Sequence, residues 1–111
     1  METLNLEQAL SFANYQTVLN QQRQQLKQKF LTDCIIAYNG GLFKISPEFI
    51  LAVQNLGSNW VLDLNNNPVL IEDLSNFVTV AKDSYQSAIE TYGQSYQKLK
   101  TKRNVKALVD L

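Results

Sequence analysis

Apolar residues return at helical intervals over two long stretches, Leu6 to Tyr38 and Leu74 to Leu99, and the shorter stretch between them is rich in turn residues and strand formers. In the first stretch Leu6, Leu10, Ala13, Leu19, Leu26, Phe30, Cys34 and Ala37 recur mostly every three, four or seven positions, with Phe12, Tyr15 and Val18 widening the stripe. The spacing predicts one amphipathic helix over residues 6–38. Its middle, Asn20 to Lys29, is almost wholly polar. A low-complexity disordered tract is the rival reading there, but Gln, Arg and Lys favour helix and Leu19, Leu26 and Phe30 carry the period through. Asn39-Gly40-Gly41 tolerates a left-handed backbone, a common helix ending.

The last stretch has the cleaner period. Leu74, Val78, Ala81, Tyr85, Ala88, Tyr92, Tyr96 and Leu99 step by threes and fours, and Glu72-Asp73 places negative charge at the helix's positive end. A helix over 72–103 with a tail over 104–111 follows. Gly93 weakens it by up to about 1 kcal/mol relative to alanine, which a close approach by the first helix would explain.

Between the helices, Leu42 to Ile45 reads as a short strand, and Ser46-Pro47-Glu48 supplies a capping hydroxyl, a first-turn proline and an acid for a short helix ending at Gly57. Trp60 to Leu64 and Val69 to Ile71 flank the turn cluster Asn65-Asn66-Asn67-Pro68 and predict a hairpin. With Leu42 to Ile45 it could form a three-stranded tip. The predicted fold is α+β, mostly α, in one domain: two long antiparallel helices, a short helix, and a small β hairpin or three-stranded tip within 42–71. At about 1.5 Å per residue the long helices span about 40–50 Å, so the particle should be elongated.

Composition narrows the function more than it names it. Ten basic and ten acidic residues cancel, which leaves no net field to attract nucleic acid or an anionic membrane and favours self-association or a protein partner. The N-terminus lacks a signal-peptide pattern and no apolar run approaches the roughly 20 residues of a membrane span. A lone cysteine, Cys34, offers no internal disulfide. A cytoplasmic protein without membrane association is expected.

Histidine is absent, which removes the commonest general base and metal ligand. Cys34 lies on the predicted apolar face and reads as a buried structural thiol. The glycines Gly40, Gly41, Gly57 and Gly93 form no phosphate-binding pattern. Asp63-Leu64-Asn65-Asn66-Asn67 offers oxygens at the first, third and fifth positions of a calcium loop, but Pro68 and Leu74 stand where such loops need glycine and a bidentate acid. A polar turn explains the same residues. Asp63, Glu72 and Asp73 are the acids an enzyme would use, yet capping and solvation account for them. No enzyme activity, cofactor, metal site or small-molecule substrate is expected.

Two groups remain as contact candidates. Lys98, Lys100, Lys102, Arg103 and Lys106 follow one another without an acid, and Lys98, Lys102 and Lys106 share a helical face. Lys98, Lys102, Arg103 and Lys106 could contact phosphates, making nucleic acid a possible partner; a solvated helix end complementing the C-terminal dipole is the simpler reading. Trp60, Tyr92 and Tyr96 could meet a protein partner, since such residues dominate binding hot spots, whereas helical spacing assigns Tyr85, Tyr92 and Tyr96 more simply to packing.

The segments Tyr38 to Ile45, Asn65 to Leu74 and Lys102 to Leu108 resemble those of small uncharacterised proteins of contractile-tailed phages infecting marine cyanobacteria. That resemblance implies a phage-encoded protein in a bacterial cytoplasm, acting in virion assembly or on a host protein, and assigns no functional residues. The expected function is a non-enzymatic interaction protein; the alternative is a nucleic-acid-binding accessory protein using the basic C-terminal helix.

Overall fold

Asn39 and Gly40 redirect the chain. In the computed structural model, which describes residues 6–109 and the side chains of residues 6–101, both have positive φ, 48° and 83°. Two successive positive φ values make the turn whose twist matches a two-residue hairpin. Helix α1 therefore spans Leu6–Asp33, and Ile35–Tyr38 is strand β1, paired antiparallel with β2, Gly41–Lys44. The helix expected over 6–38 is corrected at this end. Ile35, Ile36 and Tyr38 prefer a pleated, half-buried surface, and Asn39-Gly40 acts as a hairpin turn instead of a helix terminator.

Helix α2, Pro47–Leu56, forms as its punctuation predicts. The Ser46 hydroxyl accepts from the Phe49 N–H at 3.1 Å, and Gly57, at φ 61°, ends the helix by donating to the Val53 carbonyl. Strands β3, Trp60–Leu62, and β4, Pro68–Leu70, form the second hairpin, pairing Trp60 with Leu70 and Leu62 with Pro68. The tip thus holds two separate two-stranded sheets rather than one of three strands. Two bonds tie them: Leu64 N–H donates to the Leu42 carbonyl at 2.6 Å and Asn39 Nδ2 to the Leu70 carbonyl at 3.3 Å. Such ties matter because an isolated hairpin is marginal in water.

Helix α3 spans Leu74–Val109. It begins where the Asp73 carboxylate accepts from the Asn76 N–H at 2.9 Å, and its backbone continues past residue 103 through most of the expected tail. The core sits at one end of the molecule, where the inner faces of both hairpins, α2 and the first turns of α3 bury Phe43, Ile45, Ile50, Val53, Val61, Ile71, Phe77 and Ala81. Phe77 is its hub. Its ring lies 5.0 Å from Phe43, 4.9 Å from Tyr38 and 6.1 Å from Phe49, at the tilted angles aromatic pairs prefer.

Beyond the core α1 and α3 run antiparallel as a rod. Phe30 stacks on Tyr92 at 5.0 Å and meets Tyr85 edge-on at 6.0 Å, while Leu26, further from the tip, shares a small depression with Ser95. Leu19 and Ala88 are buried along the same seam. The radius of gyration is 21.0 Å and the extents are 70 × 23 × 21 Å, against about 13 Å for the radius of a compact domain this size. Gly93 is corrected: a Cβ there would meet nothing within 4 Å, so no close approach by α1 requires it.

The stripe predicted along α1 also divides. Leu19, Leu26 and Phe30 keep to the seam, but the six-residue step from Ala13 to Leu19 turns the helix by about 240°. Leu6, Leu10 and Ala13 therefore occupy a second face, and Leu6, Leu10, Phe12 and Val18 are exposed.

Candidate interaction surfaces

Alternation along the second hairpin decides what the tip shows to solvent. Val61 and Val69 turn inward, which sends Trp60, Leu62, Pro68 and Leu70 to the outer face. All four are exposed, Trp60 at 60 %. The pairing sets Trp60 beside Leu70 and Leu62 beside Pro68, so this outer face is wholly apolar. On the first hairpin Ile35, Ala37, Leu42 and Lys44 face outward by the same rule, and the Leu64-to-Leu42 bond brings the exposed Leu64 against that edge. Sheets usually turn polar residues to water on one side; on this tip the second hairpin turns only apolar ones there, and the first adds Lys44 alone.

The three aromatic contact candidates have different fates. Trp60 stands in solvent, Tyr92 is half-buried against Phe30, and Tyr96 is exposed at the seam's edge with its ring 6.4 Å from Tyr92. Leu62, Pro68 and Leu70 were not singled out by the sequence reading. Their strand alternation beside Trp60 was the available signal.

Zero net charge conceals a division. Residues 33–90 carry seven acids and two lysines, a net of −5; residues 6–32 and 91–109 carry eight cations and one acid, Glu7, a net of +7. Folding places the first group at the tip and the adjoining turns of α3, and the second along the rest of the rod, so the absence of a global field expected from composition gives way to an acidic end and a basic end. Lys98 and Lys100 are exposed on the rod. The side chains of Lys102, Arg103 and Lys106 lie outside those the structure describes. Among the described residues the one ion pair is Lys29 to Asp33, 2.6 Å apart and one helical turn along α1, a type worth about 0.3–0.5 kcal/mol.

Two of the three acids considered for chemistry have structural work. Asp63 Oδ1 accepts from the Asn65 and Asn67 N–H groups at 2.9 and 2.8 Å, holding the β3–β4 turn. Asp73 caps α3, and Glu72 is exposed beside it. Among the described residues no three His, Cys, Asp or Glu side chains gather as a metal would need. The depression lined by Leu26, Phe30, Tyr92 and Ser95 has a cavity volume of about 10 Å³, too little for a ligand of ordinary size.

Cys34 is buried where α1 meets β1. Burial pushes its thiol above the ordinary range, the nearby Asp33 carboxylate adds to the rise, and Lys44 opposes it. A raised folded-state value means that the neutral thiol is the form the fold favours. Its contribution to stability is complete below the unfolded thiol's range and is lost as pH climbs through the folded value. The native chain should therefore resist alkylation at neutral pH and react once unfolded in urea. Melting curves against pH should show part of the alkaline loss disappearing in Cys34→Ala.

No helix among the described residues is long and apolar enough to cross a membrane. Neither a protein-family model, nor a curated protein, nor a solved structure matches the chain.

Proposed function

We propose that the chain is a non-enzymatic interaction protein that works through the apolar outer faces of its tip hairpins and the exposed faces of its helices. The observation that carries this reading is the solvent-facing set Trp60, Leu62, Pro68 and Leu70. A tryptophan ringed by aliphatic side chains is the composition of a binding hot spot, and contiguous exposed apolar surface on a small protein marks a place another surface covers. On the resemblance to phage proteins, we propose that the contact serves virion assembly or engages a host protein in a bacterial cytoplasm.

Trp60→Ser, Leu62→Ser and Leu70→Ser together change only exposed side chains, so the variant should keep its helical circular dichroism while losing the contact. Immobilised wild-type chain is expected to retain a defined protein, either another chain or a second copy, that the triple variant does not. Equal retention by both would contradict the reading.

A nucleic-acid-binding accessory role is the second reading, favoured by the absence of acids from residues 8–32 and 91–109. It requires gel shifts that weaken steeply with salt.

A further inference from the structure

We infer that the partner of this surface is a second copy of the chain, lying antiparallel so that the acidic, apolar tip of each copy rests on the basic rod of the other. The inference rests on the interaction reading above and commits it to one occupant and one orientation. Charge is the first argument. The tip's −5 and the rod's +7 sit at opposite ends of a molecule 70 Å long. A parallel pairing would set tip on tip and rod on rod, and like charges brought together across an interface suppress that arrangement. The antiparallel pairing sets opposite signs together twice, and a two-fold axis makes the two contacts identical.

Apolar surface is the second argument, because exposed charges steer and orient association more than they hold it. Trp60, Leu62 and Leu70 stand exposed at the acidic end, and Leu6, Leu10 and Phe12 stand exposed at the far end of the rod. Antiparallel copies bring these two sets to the same levels along the pair. A nucleic acid on the basic rod would satisfy the cations and leave both apolar sets in water. Area is the third argument. A side of 70 by 23 Å has a footprint of roughly 1,600 Å², about twice what each partner gives to a standard stable interface, so half of it in contact suffices.

A charge exchange tests the orientation. One variant reverses the tip from −5 to +3, Glu48→Lys, Glu72→Lys, Asp83→Lys and Glu90→Lys together; the other reverses the rod from +7 to −1, Lys27→Glu, Lys29→Glu, Lys98→Glu and Lys100→Glu together. All eight positions are exposed, and unchanged helical circular dichroism would verify that both variants fold. In sedimentation equilibrium at low salt, wild type is expected to dimerise and each variant alone to bind itself at least tenfold more weakly, since like charges then meet at both contacts. The equimolar mixture is expected to recover a heterodimer within about threefold of wild type, because the reversed tip then meets the reversed rod while the second contact is wild type on wild type. A mixture that stays monomeric while wild type dimerises would overturn the antiparallel pairing, as would variants that dimerise like wild type. A wild-type monomer that shifts a DNA duplex, with the shift lost in the rod-reversed variant, would overturn it in favour of nucleic acid. A wild-type monomer that still retains a different protein through Trp60 would overturn the pairing alone and leave the interaction reading standing.

Discussion

Phe77→Ala is expected to lower the unfolding free energy by about 3–5 kcal/mol, the range for truncating a fully buried aromatic ring. Phe77 has no exposed surface, and its ring touches side chains from β1, β2 and α2 at once. No neighbour can fill the space without abandoning its own element. Small domains hold only about 5–15 kcal/mol in total, so a fall in Tm of more than about 10 °C should follow. Circular dichroism and chemical denaturation would check it. A loss below about 1 kcal/mol would mean that the hairpins do not pack on α3 as described.

Gly41→Ala should cost about 1–3 kcal/mol, and it acts by crowding instead of emptying. A Cβ at Gly41 would lie 2.8 Å from Val69 Cγ2 and 3.1 Å from the Phe43 ring. Val69 belongs to the other hairpin, so the substitution pushes the two sheets apart where only a few bonds join them. Gly93→Ala supplies the control. It meets open space in a helix and should stabilise by up to about 1 kcal/mol. Opposite signs for the two substitutions would support the sheet-to-sheet contact, and equal effects would contradict it.

The parts of the fold that were legible in the sequence are those set by local chemistry. Ser46, Pro47 and Gly57 bound α2, Asp73 caps α3, and the turn residues between Leu64 and Val69 close the second hairpin, each through a bond or a backbone angle made within a few residues. The first hairpin was not legible because Asn39-Gly40 serves equally well after a helix or between strands, and Cys34 and Ala37 happened to continue the helical count. What settles the choice is distant: Phe43 and Tyr38 must reach Phe77. The α1 stripe misled for a related reason. Leu6, Leu10 and Ala13 are periodic among themselves, yet they are out of phase with Leu19, and periodicity alone does not say which face a partner helix covers.

Of the candidate site, Trp60 was legible because it stood between turn signals, whereas its apolar company depended on the strand register that pairs it with Leu70. The division of charge was present in the sequence but needed the antiparallel helices to gain meaning, since residues 6–32 and 91–109 become one basic rod only when folded together.

Trp60 is the only tryptophan, so its emission reports the tip's outer face without interference. The most direct measurement is that emission across a dilution series at low salt. A spectrum like that of indole in water at the lowest concentrations, moving to shorter wavelength as the chain associates, is the predicted result. Association that leaves the Trp60 spectrum unmoved would contradict the account.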